Sequence, residues 1–112
     1  MVYTNKLVLH IPHYAWENEQ LIKINYEHFV QKLYNDLMQA GVDSWYTTAA
    51  KGFYKGRGYD EELLTVFCGE NALTIVDIFV QSYMDAKYMR QEAFAYECNG
   101  VLFVVDLQEI TD

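Results

Sequence analysis

The sequence contains few residues that interrupt or crosslink a chain. Its 112 residues include one proline, Pro12, and two cysteines, Cys68 and Cys98. Because no repeat, low-complexity stretch or proline-rich linker is present, we expect a single α+β domain over residues 1–112. Two cysteines without a Cys-x-x-Cys motif exclude a thiolate zinc site, and both thiols are predicted to be reduced and buried.

Long apolar runs and basic residues are also scarce. The longest purely apolar run, Val101–Val105, is far shorter than the roughly 20 residues of a membrane span. The first residues lack the pattern of a secretory signal, so the predicted location is cytoplasmic. Eight Lys and Arg against 16 Asp and Glu give a formal net charge of −8. An acidic body of this kind argues against direct nucleic-acid binding.

Apolar and aromatic residues are abundant instead. Hydrophobic residues make up 52% of the chain, with ten Tyr, six Phe and two Trp. Such a chain can bury a core, which excludes intrinsic disorder.

The apolar periodicity predicts strands and helices in the first two thirds of the chain. Lys6–Ile11 alternates as a strand that stops at Pro12. A helix is predicted from an N-cap at Asn18 to Gly41. Strands over 44–54 and 63–68 enclose a turn at 55–60.

The last third predicts a second helix and a hairpin. The helix extends from Asn71 to about Tyr88 or Met89, and strands over 92–98 and 101–105 flank Asn99-Gly100, a strong type I′ turn signal. The predicted order, β-α-β-β-α-β-β, resembles the ferredoxin-like plait in element order alone. That resemblance implies an antiparallel sheet with two helices on one face and a C-terminal hairpin.

Two of the predicted strands are apolar on both sides. In residues 63–68 and 101–105, apolar residues occupy consecutive positions instead of alternating with polar ones. A sheet of this composition is usually covered on both faces. Because two helices cover only one face, we expect a homodimer that forms through the exposed sheet face.

The candidate binding residues lie in a glycine-rich basic segment and at two tryptophans. Residues 51–59 could form a loop that closes on an anionic small ligand or an acidic protein surface, although a solvated turn is the commoner role for such a segment. Trp16 and Trp45 could line an aromatic pocket. The predicted ligand- or partner-binding residues are Lys51, Tyr54, Lys55, Arg57, Tyr59, Trp16 and Trp45.

No catalytic motif or cofactor-binding pattern is present. His10 and His13 are the candidate metal ligands. With Glu17 as the only carboxylate near them in sequence, they are weak evidence for a metal site. The same three side chains form the acid–base cluster that an enzyme would have to use. We therefore expect a cytoplasmic, homo-oligomeric binding or regulatory domain that is not an enzyme. The alternative is an acidic phage- or plasmid-type inhibitor of a nucleic-acid-handling enzyme.

Overall fold

A computed structural model describes residues 2–54 and 56–107, with only the backbone at position 54. Nine helices and strands and one 3₁₀ turn follow one another along these residues. In chain order they are β1 Asn5–Pro12, β2 Tyr14–Glu17, β3 Gln20–Lys23, α1 Tyr26–Gln39, β4 Tyr46–Tyr54, β5 Arg57–Cys68, α2 Ala72–Asp85, the 3₁₀ turn Lys87–Met89, β6 Ala93–Cys98 and β7 Val101–Asp106.

The predicted order β-α-β-β-α-β-β is wrong, because the structure has the order β-β-β-α-β-β-α-β-β. Residues 14–23 form the β2–β3 hairpin, where the sequence predicted the start of a long helix. Asn18 and Glu19 adopt φ of +50° and +63° at its turn, a left-handed conformation that ends any helix. The N-cap of α1 is Asn25, whose side chain accepts a hydrogen bond from the backbone N–H of His28 at 3.3 Å.

Five strands form one antiparallel sheet in the order β4-β5-β1-β6-β7. Alternation along β1 places Leu7, Leu9 and Ile11 in the core, each fully buried. The helices α1 and α2 pack against each other and against this side of β1. The opposite side of the sheet, which carries Val8 and His10, has no helix over it among the described residues, and we call it the open face.

Tyr83 on α2 fastens the helical layer to the sheet. Its ring is stacked on Phe94 of β6 at 4.3 Å, and its hydroxyl donates a hydrogen bond to the backbone oxygen of His10 at 3.0 Å. Full burial raises the pKa of this phenol well above its ordinary value. The hydrogen bond fixes the backbone of β1 at His10, whose side chain points to the open face.

The C-terminal hairpin has the turn that the sequence predicts. Asn99 and Gly100 both have positive φ, +53° and +84°, as a type I′ turn requires. Cys68 is buried, Cys98 is half-buried, and both thiols are free. Of the described helices, none has the length and apolar character needed to cross a membrane.

Candidate functional site

A histidine and two carboxylates meet near the middle of the open face. His10 of β1 lies between β5 and β6, with Nε2 2.8 Å from Oε2 of Glu97 and Nδ1 3.7 Å from Oε1 of Glu61. The pKa of His10 is raised above 6.5, mainly because of contact with the Glu61 carboxylate. Partial burial lowers this pKa, and the hydrogen bond to Glu97 raises it further. We call these three side chains the acidic cluster.

The two histidines that the sequence grouped together lie in different surroundings. The His13 ring is stacked on Tyr26 at 3.6 Å, and its buried Nε2 lies 3.5 Å from Glu62 without a hydrogen bond. Glu62 follows Glu61 on a strand, so the two carboxylates point to opposite sides of the sheet. Glu17 pairs with Arg90 at 3.0 Å instead. His10, His13 and Glu17 therefore form no common site, and no metal-binding group of three appears within residues 2–54 and 56–107.

The predicted basic segment closes the β4–β5 hairpin. Arg57 donates a hydrogen bond to the backbone oxygen of Glu19 at 2.8 Å, and its guanidinium lies 5.5 Å from the Trp16 ring centre. Lys51 pairs with Asp60 at 3.4 Å on the surface. Arg57 and Trp16 thus hold the β2–β3 turn against the base of β5.

Tyr59 and the backbone of Tyr54 lie in the same hairpin. The Tyr59 ring lies over Gly52, so close that a Cβ there would be 2.5 Å from the ring. Tyr54 pairs with Arg57 through the backbone, and its side chain lies outside the described part of the structure, as does all of Lys55. The structure therefore places the described members of the basic segment on a hairpin that is already engaged with the rest of the chain.

Trp45 lines a surface groove of the described structure. The groove has a volume of about 590 Å³ and opens between the start of the chain, the loop before β4 and the start of α2. Its size falls within the range of ligand-binding clefts. The ring of Trp45 is half-buried and packs against Tyr34 at 5.1 Å. Around it lie aromatic side chains and the polar residues Asp43, Ser44 and Asn71.

Two residues that line the groove share a row of the sheet with Glu97 of the acidic cluster. Tyr46 and Thr65, which line the groove, pair with each other across β4 and β5. Thr65 pairs in turn with Val8, and Val8 with Glu97, so the four residues form one row across the sheet. Thr65 and Glu97 are two strand spacings apart, about 10 Å. A ligand longer than this distance could contact both the groove and the acidic cluster.

Comparisons with known proteins show a similar fold and no close relative. No known protein family and no curated protein matches the sequence. A phage SAM lyase in its apo state is similar in structure, with a TM-score of 0.67 and 11% identity over 93% of this chain and 90% of that chain. A phage SAM lyase in complex with S-methyl-5′-thioadenosine has a TM-score of 0.65 and 11% identity over the same shares. At this identity the likeness concerns the fold.

Sequence reasoning found Trp45 but missed the acidic cluster. Neither Glu61 nor Glu97 is among the candidate site residues that the sequence predicts. The available signal was strand phase: His10 and Glu97 both occupy positions that alternate with core residues of their strands, Leu9 and Tyr96. That phase places both side chains on the open face. Pairing of β1 with both β5 and β6, which sequence reasoning had not predicted, brings them together.

Proposed function

We propose that this chain binds S-adenosylmethionine and is a lyase that releases S-methyl-5′-thioadenosine from it. The observation that carries the proposal is the row Tyr46–Thr65–Val8–Glu97, which joins an aromatic groove to an acidic cluster on one face. The structural likeness to a phage SAM lyase supports the choice of substrate. The sequence alone favoured a protein without enzymatic activity, so this proposal departs from that expectation.

The two ends of the row suit the two ends of this substrate. The adenine ring is flat and aromatic and would pack beside Trp45, with Ser44 and Asn71 near its polar edge. The sulfonium and the amino group are cationic and would face the acidic cluster, where carboxylates favour a positive charge. The net charge of −8 also attracts a cation at long range.

Release of the product changes the charge on sulfur. When the bond between sulfur and the four-carbon amino acid unit breaks, sulfur keeps the electron pair and becomes a neutral thioether. An oxygen of the unit's own carboxylate bonds to the carbon that sulfur leaves, which gives a neutral lactone ring without added water. The acidic cluster therefore interacts more strongly with the substrate than with the neutral product.

The difference in charge between the cationic substrate and the neutral product can be tested by comparing how variants bind the two compounds. Binding of S-adenosylmethionine and of S-methyl-5′-thioadenosine is measured by calorimetry, and cleavage by mass spectrometry. Trp45→Ala is expected to weaken binding of both compounds at least tenfold. Glu97→Gln is expected to weaken binding of the cationic compound severalfold and leave binding of the neutral one unchanged.

Matched controls are Trp16→Ala, which removes a tryptophan remote from the groove, and Glu92→Gln, which neutralises an exposed carboxylate outside the cluster. Neither is expected to change binding. Absence of binding of both compounds by the native protein would overturn the proposal. Binding without cleavage would leave a sensor of these compounds, in line with the non-enzymatic function that the sequence favoured.

We also propose that the chain forms homo-oligomers through the open face. Large apolar side chains remain exposed there, including Phe67 at 49% and Leu102 at 57%. Light scattering after size exclusion tests this proposal, and Leu63→Glu, at the centre of the face, is expected to shift the protein to a smaller species. A monomer at all concentrations of the native protein would contradict it.

A second candidate function is the acidic inhibitor of a nucleic-acid-handling enzyme. The phage source of the structural neighbours and the net charge of −8 favour it. Inhibition of this kind weakens steeply with added salt and does not depend on the groove. Inhibition of a nucleic-acid-handling enzyme that survives Trp45→Ala would therefore support this candidate over the lyase.

A further inference from the structure

The edge of the sheet at β7 has backbone hydrogen-bonding groups that no described residue uses. β7 is the last strand of the sheet beside β6, and the two-residue turn makes Cys98 and Val101 a hydrogen-bonded pair. Hydrogen-bonded pairs alternate along an antiparallel ladder, so the backbone groups of Phe103 face β6. Those of Leu102 and Val104 face outward, and no described residue pairs with them.

Most of this edge lacks the features that normally prevent edge-to-edge pairing, because its one charged residue, Asp106, stands at the end of the strand. Residues 101–105 contain no charge, proline or glycine. Four of their side chains are exposed: Val101 by 56%, Leu102 by 57%, Phe103 by 43% and Val104 by 68%. The opposite edge, β4, is different, because Lys51 and Gly52 lie within it.

We propose that two copies of this chain pair through their β7 edges in antiparallel orientation, around a two-fold axis at Phe103. In this register Leu102 lies opposite Val104 of the second copy, so that the outward N–H of each donates to the carbonyl oxygen of the other. Val101 lies opposite Val105, and Phe103 opposite its own symmetry mate. The result is one continuous ten-stranded sheet.

The side chains of β7 indicate that the strand pairing with this edge comes from a second copy of the chain. Residues 101–105 pair apolar with apolar at every position in this register, and each copy supplies the same surface. A shift by two residues in one direction would place Asp106 opposite Leu102, and a shift in the other would place Gly100 opposite Val104. Phe103 already stacks on Tyr96 at 5.1 Å, and pairing would extend this aromatic row into the second copy.

The charges allow the same arrangement despite the net charge of −8. In the proposed register the two Asp106 carboxylates lie at opposite ends of the paired strands, six residues apart along the chain direction, or about 20 Å. This separation exceeds the screening length of about 8 Å at physiological salt. Repulsion between the two copies is therefore weak at the contact itself.

Proline at the edge tests the pairing. Val104→Pro removes an outward N–H but none of the bonds between β6 and β7, and it keeps the open face apolar. It is expected to raise the dimer dissociation constant at least tenfold in analytical ultracentrifugation. Ala49→Pro is the matched control: Ala49 is an outward-facing position on β4, and this change is expected to have no effect on dimerisation.

Hydrogen exchange of the native protein provides a second test that needs no variant. The amides of Leu102 and Val104 are expected to be protected only at concentrations where the dimer forms, and the amide of Phe103 at every concentration. Contact through the open face alone would not protect these outward amides. The proposal is overturned by fast exchange at Leu102 and Val104 in the dimer, by an unchanged dimer in Val104→Pro, or by a native protein that stays monomeric. None of these results bears on binding of S-adenosylmethionine.

Discussion

The Nε2 atom of His10 lies 2.8 Å from Oε2 of Glu97 on the open face, and the same imidazole lies 3.7 Å from Glu61 through Nδ1. One ring thus connects three adjacent strands, β5, β1 and β6. Two carboxylates around one imidazole give the cluster its negative charge and make that charge depend on pH.

Stability of the fold is expected to depend on the protonation of His10. The pKa of His10 in the folded protein is raised above the ordinary 6.5, mainly by Glu61 and further by Glu97. The folded state thus binds the proton more tightly than the unfolded state. This contribution is complete below pH 6.5, while the carboxylates remain ionised, and is lost as pH rises through the folded-state pKa.

Urea unfolding on both sides of that pKa measures this effect. The free energy of unfolding is expected to fall with rising pH in the native protein, and His10→Gln is expected to flatten the decline. His28→Gln, at an exposed position on α1, serves as the control and should keep the native slope. A slope unchanged by His10→Gln would show that other groups cause it.

Removal of the Tyr83 hydroxyl is expected to destabilise the protein. Tyr83→Phe leaves the stacked ring in place but removes the hydrogen bond to the backbone oxygen of His10. Loss of one such bond in a buried site costs about 1 kcal/mol, and up to about 3 kcal/mol if the remaining group stays unsatisfied. Chemical denaturation measures the change, and Tyr3→Phe, at an exposed position, is expected to have no effect.

The sequence predicted the elements whose periodicity is long or whose turn chemistry is specific. The stripe Phe29, Leu33 and Leu37 marks α1, and Asn99-Gly100 marks the final turn because both residues tolerate positive φ. The β2–β3 hairpin was missed because Ile22 continues the helical stripe by chance. Its turn uses Asn18 and Glu19, and Glu is an unusual residue for positive φ.

The candidate site was harder to predict than the fold because it depends on strand pairing. Glu61 and Glu97 are 36 positions apart in sequence, and each looks like an ordinary surface residue. They approach each other only because β1 lies between β5 and β6. Arg57 is an example of a residue that the sequence predicted to bind an anion. In the structure its side chain donates a hydrogen bond to the backbone oxygen of Glu19.

Arg57 is expected to hold the β2–β3 hairpin in place through geometry as well as charge. Arg57→Lys keeps the positive charge but loses the planar group that lies over Trp16 and reaches Glu19. We expect faster amide exchange in residues 14–23 and a shift in tryptophan fluorescence. Lys51→Arg on the neighbouring strand, whose ion pair with Asp60 is fully on the surface, should change neither measurement.

A methyl group at Gly52 is expected to disturb the β4–β5 hairpin, because the Tyr59 ring occupies the space. A Cβ at this position would lie 2.5–2.7 Å from two ring carbons and the hydroxyl oxygen of Tyr59, so the side chain must move before alanine can fit. Gly52→Ala should lower the free energy of unfolding by about 1–3 kcal/mol, the usual range for overpacking. Gly69→Ala, which has nothing within 4 Å, is the matched control. Combining Gly52→Ala with Tyr59→Ala removes the clash and should cost less than the sum of the two single changes. Strict additivity would show that the ring moves aside without cost and that the close approach at Gly52 places no constraint on the hairpin.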